Sequence, residues 1–279
     1  MEEFSVQQPN STQPSAYPTF RQALGLIGLF ILVSIVIGVV VVIPLTATFE
    51  SFNLPKAEAS SWLDLIGYTL PLGFILWYAI NENRKIESGW HFSWEAVPLS
   101  IYFYLFFITV GMAVLLEPIV EAIPMPEVIR KMFEDLFKNT LVSFALISII
   151  GPIMEELLMR GIILKGFLQR YTPQQSILWS ALLFGVIHLN PWQFITAFMM
   201  GLVLGWIYYK TNSLWPCIFA HILNNSLSSI VVMWTNNPMA TARDLAGSDG
   251  TYYLILVIAL VLVIGSFWQL YQVFNPKKA

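Results

Sequence analysis

Three charged side chains, Glu155, Glu156 and Arg160, fall inside a stretch of the 279-residue chain, residues 141–164, that is otherwise apolar. At the centre of a membrane helix each such group costs about 2.5–3.5 kcal/mol on insertion scales. They therefore need partners, water or a chemical use. Helical spacing separates their roles. Glu156 and Arg160 stand four residues apart, with the acid N-terminal to the base, so they meet on one face and pair. Glu155 points about 100° away and stays unpaired by its own helix. An unpaired carboxylate in low dielectric takes up a proton more readily than one in water, which suits a general base near neutral pH.

Two later segments carry the other candidates. His221 and Asn225 are again four apart and present an imidazole and a carboxamide to one point. Such a pair can donate two hydrogen bonds to a developing oxyanion, or hold a metal and its substrate. His188, one turn after Phe184, adds an imidazole from a third segment. Glu155, His188 and His221 together offer the His₂Glu set of catalytic zinc, although no H-E-x-x-H helix exists here. One carboxylate with one imidazole can also deprotonate water unaided. Zinc is thus possible and no cofactor is required. His91, beside Trp90 and Trp94, reads as interfacial, and the single cysteine, Cys217, as a small buried residue.

The elements that must position these groups are membrane helices. The chain is 57% hydrophobic and 11% charged, where soluble domains run near 45–50% and about 25%. The expected fold is all-α, a polytopic membrane bundle of about eight spans in one domain (21–275) behind a disordered polar tail (1–20). Apolar runs place the spans near 22–43, 62–80, 97–116, 140–164, 176–188, 194–209, 214–234 and 252–273. The first, ended by Pro44, is too long for a signal-peptide core and reads as a retained helix. The run 176–188 is short, so it should extend inwards through Thr172 or be partly shielded by protein. Trp179, Trp192, Trp206 and Trp215 are expected in interfacial belts. Between the third and fourth spans, Val128, Ile129, Met132, Phe133, Leu136 and Phe137 recur at helical spacing, the pattern of an amphipathic helix lying in the interface plane.

With eight spans both termini share a side. That side carries Arg21, Arg84, Lys85, Lys165, Arg170, Lys210, Lys277 and Lys278, against Lys56, Arg130, Lys131, Lys138 and Arg243 opposite. The balance puts both termini in the cytoplasm, in a bacterial plasma membrane by expectation. The formal charge of −3 argues against a nucleic-acid partner.

Taken together, Glu-Glu-x-x-x-Arg at Glu155–Arg160, Phe-x-x-x-His at Phe184–His188 and His-x-x-x-Asn at His221–Asn225 resemble the three motifs of the CAAX-prenyl-endopeptidase type (CPBP, or ABI) family of intramembrane proteases. Order and placement on separate spans agree. The resemblance covers a core of residues 140–234 and implies an endopeptidase working in or at the bilayer. It implies that Glu155 and His188 activate the attacking water. His221 and Asn225 would stabilise the tetrahedral oxyanion, and Glu156 with Arg160 would hold the fourth span in position. The substrate would be a membrane-associated protein or peptide, lipid-modified or not. The small catalytic cavity should lie between the fourth, fifth and seventh spans and open to the cytoplasm or laterally to lipid.

Two other classes compete. Intramembrane acids and histidines also mark ion paths, and Gly151-Pro152 could break the helix as transporter sites do. No inverted repeat supports this, and the polar groups sit in one half of the chain. An immunity or scaffold protein could instead keep the fold without cutting anything.

Overall fold

The computed structural model describes residues 16–52, 54–137, 140–237 and 239–276. Most of the expected disordered tail, together with Lys138, Lys277 and Lys278, lies outside the described residues. The described chain is an all-α bundle. Its helices are α1 (Phe20–Phe49), α2 (Lys56–Ile86), α3 (Leu99–Glu121), α4 (Glu127–Leu136), α5 (Leu141–Leu168), α6 (Pro173–Val186), α7 (Pro191–Thr211), α8 (Trp215–Thr235), α9 (Ala242–Ala246) and α10 (Asp249–Phe274). Among the described residues, seven helices are long and apolar enough to cross a membrane, and the protein is an integral membrane protein.

The eighth expected span is the exception. α6 has 14 residues, about 21 Å at 1.5 Å per residue, against about 30 Å of hydrocarbon. It does not extend inwards through Thr172, which caps it by accepting from the Gln175 backbone N–H. Shielding by protein is the solution the fold adopts. α7 carries Gly201 and Gly205 on one face. A Cβ on Gly201 would stand 2.9 Å from Ala181 Cα, and one on Gly205 would stand 3.1 Å from Ile177. This Gly-x-x-x-Gly face brings the two backbones together, as small residues do between membrane helices. Trp192 is correspondingly no belt residue: it is buried and donates from Nε1 to the Ile123 carbonyl at 3.0 Å.

End-to-end contacts order the bundle. Arg170 donates to the Ala16 carbonyl, Lys165 to the His91 carbonyl, and the Leu214 amide to the Ser93 carbonyl. These gather the N-terminal end, the α2–α3 loop, the α5–α6 loop and the α7–α8 loop at one end. Trp192 beside Ile123, and Ala242 donating to Glu117, gather the α6–α7 turn and the α3 and α9 ends at the other. Short as it is, α6 returns the chain to the far end.

α5 lies between two buried clusters. Leu158, Met159, Ile162, Ile163 and Phe167 pack with α1, α2 and α6. Leu164 faces the cluster built by α3, α7, α8 and α10. Neither Pro44, expected to end the first span, nor Pro152, a break only in the transporter reading, interrupts its helix. Pro44 lies inside α1 and Pro152 inside α5, each two residues past a wider π-helical stretch, Gly38–Val42 and Leu146–Ile150. The widened turn relieves the clash of a proline ring with the carbonyl four residues earlier. α5 is therefore continuous through Gly151-Pro152. The amphipathic element forms as α4, with Val128 and Met132 exposed. Cys217 is fully buried.

Candidate active site

Glu155 and Glu156 sit in the regular middle of α5, Gly151–Leu158, bracketed by the π stretches Leu146–Ile150 and Met159–Leu164. Single-turn π distortions cluster at functional positions because they re-aim side chains without ending the helix. Here they set two adjacent carboxylates towards different neighbours.

Glu156 and Arg160 are both fully buried and pair as expected, Nη1 to Oε1 at 2.6 Å. Arg160 also reaches the Gly201 carbonyl through Nη2 at 3.4 Å and lies 4.8 Å from the Phe184 ring centroid. The close α6–α7 approach over Gly201 is what leaves that carbonyl in range. The pair is not self-contained, however. Glu156 Oε1 also faces His221 Nδ1 at 2.8 Å, so the acid assigned only to holding its own helix binds a residue of α8 as well.

His221 stands between the two carboxylates. With Nδ1 on Glu156, its Nε2 is directed at Glu155 Oε2, 3.7 Å away. That gap is beyond a hydrogen bond. Glu155 is not unpartnered, since the Tyr68 hydroxyl on α2 donates to its Oε1. Nothing in the local sequence marks Tyr68. It is one aromatic residue in an apolar run, and its partner lies 87 residues away.

His188 follows the end of α6, in the turn where Leu189 takes φ +56°. Its Nδ1 lies 2.8 Å from the Phe184 carbonyl. A carbonyl only accepts, so Nδ1 carries the proton and Nε2 the lone pair. Asn190 and Pro191 begin the next helix. Asn190 caps α7 by accepting from the Gln193 N–H at 2.9 Å, and its Nδ2 donates to the His188 carbonyl at 2.8 Å. Phe184, fully buried, meets both imidazoles edge-on, with centroids 5.3 Å from His188 and 5.6 Å from His221. Asn225 donates to the Ile147 carbonyl at 2.9 Å and accepts from Asn224 at 3.1 Å, which leaves its second N–H.

Glu155, His188, His221 and Asn225 line one cavity of about 780 Å³, a size typical of ligand sites. Its walls include Phe30 and Val42 of α1, Leu63 and Tyr68 of α2, Leu136 and Phe137 at the end of α4, and Thr196 and Met200 of α7. It runs from mid-depth towards the bundle end opposite the N-terminal segment. Of the two mouths expected from the sequence, cytoplasmic or lateral to lipid, cytoplasmic termini leave only the lateral one. Among the described residues no three His, Cys, Asp or Glu side chains gather as a metal-holding group. The conditional set Glu155, His188 and His221 is not assembled as one. His91 is exposed on the α2–α3 loop, with Nδ1 against the Gly89 carbonyl, away from this site.

Residues 137–227 match the family model described as type II CAAX prenyl endopeptidase Rce1-like. A Bacillus subtilis (strain 168) protein named "Putative membrane peptidase YdiL" is 31% identical over 86 residues, 31% of this chain and 34% of that one. The chain thus spans about a third of the length of the curated relative it matches. No solved structure matches the chain. Glu155, Glu156, Arg160, His188, His221 and Asn225 all fall inside the stretch that is similar to the Rce1-like family model.

Proposed function

We propose that the protein is an intramembrane endopeptidase. The observation that carries this reading is the convergence of Glu155, His188, His221 and Asn225, from three separate parts of the chain, on one cavity. In the reaction Glu155 takes a proton from water, aided by the lone pair on His188 Nε2, and the hydroxide adds to the scissile carbonyl carbon. The resulting oxyanion accepts hydrogen bonds from His221 Nε2 and the free Asn225 N–H. For this His221 presents an N–H at Nε2 while its Nδ1 faces Glu156 Oε1. The tetrahedral intermediate then collapses as the proton held by Glu155 passes to the amide nitrogen and the C–N bond breaks. No step is routed through a metal.

The substrate is a membrane-associated protein or peptide, with or without a lipid anchor, and the host membrane is a bacterial plasma membrane. The Lys and Arg balance favours cytoplasmic termini. The cavity then meets its substrate from the far side or laterally from the bilayer. The deciding experiment uses purified protein in nanodiscs with a fluorescence-quenched peptide tethered to lipid. Wild type should cleave it, with and without a chelator. Glu155→Gln should lose about 100-fold or more, the scale of general-base catalysis. Undiminished cleavage by Glu155→Gln ends the proposal; loss of wild-type cleavage on chelation ends its metal-free form.

A further inference from the structure

We propose that Tyr68 is the positioning residue of the general base, a role that rests on the endopeptidase reading. The assignment starts from the two oxygens of Glu155. Oε1 accepts the hydrogen bond of the Tyr68 hydroxyl, while Oε2 is turned to the cavity and to His221 Nε2 at 3.7 Å. A carboxylate on a helix has free rotation about its terminal bond, and two equivalent oxygens would compete for the water. A phenol O–H on one of them ends the equivalence. It leaves Oε2 as the oxygen that receives the proton, on the side of His221 Nε2.

The neighbouring residues are shaped for this contact. Gly151 lies one turn before Glu155 on the same face of α5. A Cβ there would stand 2.9 Å from the Leu146 carbonyl, 3.6 Å from Tyr68 Cε1 and 3.8 Å from Glu155 Oε1. The atom such a Cβ would crowd is the Leu146 carbonyl of the same helix, while the phenol ring and the carboxylate stand at ordinary contact distance over this position. Tyr68 also lines the same cavity as Glu155, so its hydroxyl acts at the reaction chamber. It is a second-helix tether: α2 fixes what α5 carries.

The test measures kcat, KM and the thermal midpoint in nanodiscs for wild type and Tyr68→Phe, with Tyr68→His to return a donor. Thr69→Val serves as control, because the Thr69 hydroxyl bonds only the Leu65 carbonyl of its own helix. Glu155→Gln runs in the same assay. Tyr68→Phe should lower kcat about 10- to 100-fold, the cost of a misplaced catalytic group, with KM and the midpoint near wild type. Tyr68→His should recover part of kcat. Unchanged kcat in Tyr68→Phe with an inactive Glu155→Gln overturns the role of Tyr68 alone. So does a parallel fall of kcat and midpoint that Tyr68→His does not relieve. A wild type that cuts nothing, or an active Glu155→Gln, removes the underlying reading instead.

Discussion

His221 and Glu156 meet at 2.8 Å, imidazole Nδ1 to carboxylate Oε1, and that contact joins the buried ion pair of α5 to the candidate chemistry on α8. Arg160 is held by the same oxygen at 2.6 Å. Glu156 is therefore both the counter-ion of its own helix and the group that aims the ring of another. Stability and activity pass through one carboxylate, and they can be separated.

Removing one partner of a buried ion pair strands a charge and costs about 3–5 kcal/mol, while replacing both by apolar groups is often neutral. Arg160→Met alone should lower the thermal midpoint in detergent sharply. The double variant Glu156→Leu with Arg160→Met should recover part of that loss, short of wild type because buried His221 is left without its acceptor, and should cleave nothing for the same reason. Thermal unfolding and peptide hydrolysis on the same preparations check this. Activity in the double variant would show that Glu156 serves packing only.

Phe184 touches both imidazoles and covers the Arg160 guanidinium. Phe184→Leu keeps most of the volume, so its stability cost should stay below about 1.5 kcal/mol. Its catalytic rate should fall further than that, because both rings lose their edge contacts. Phe184→Ala should cost about 3–5 kcal/mol. The comparison of melting with kcat separates orientation from filling.

Gly201 is a packing position with a functional consequence. A Cβ there meets the Ala181 backbone at 2.9 Å, so Gly201→Ala should cost about 1–3 kcal/mol by overpacking and withdraw the carbonyl that Arg160 reaches. Gly28, with nothing within 4 Å of an added Cβ, is the contrast. Gly28→Ala should be neutral or slightly stabilising, as alanine is the better helix former. Thermal midpoints of the two variants make the measurement.

Orientation is testable with single cysteines, since native Cys217 is fully buried. Ser51 and Gln174 are exposed at opposite ends of the bundle. With cytoplasmic termini, a membrane-impermeant maleimide on whole cells should label Ser51→Cys and spare Gln174→Cys. The reverse pattern would turn the cavity mouth to the cytoplasm and overrule the Lys and Arg count.

Much of this protein was legible from local periodicity. Apolar runs located seven long helices, and the i, i+4 spacing placed Glu156 against Arg160. The amphipathic α4 was visible in its alternating faces. Where the reading failed, the reason was distance along the chain. α6 was read as short, to be extended or shielded by protein, and the sequence did not choose: a helix covered by protein is freed from the bilayer's length requirement. Gly201 and Gly205 supplied that cover from the next helix. Pro44 was read as a break, and Pro152 as one only in the competing transporter reading, because a regular α-turn cannot admit the ring; the π stretches before them can. Trp192 was placed in a lipid-facing belt, and a backbone carbonyl of the α3–α4 connection claimed it instead.

By itself the sequence determined that the chain is a membrane bundle and which residue types could hydrolyse a peptide, because burial in lipid makes every charge and imidazole conspicuous. Only the tertiary structure decided the partners: that Glu156 aims His221, that Tyr68 holds Glu155, and that the cavity opens at the end away from the N-terminal segment. Those are contacts between helices 65 and 87 residues apart. Side-chain periodicity along a single helix carries no information about which neighbour packs against it.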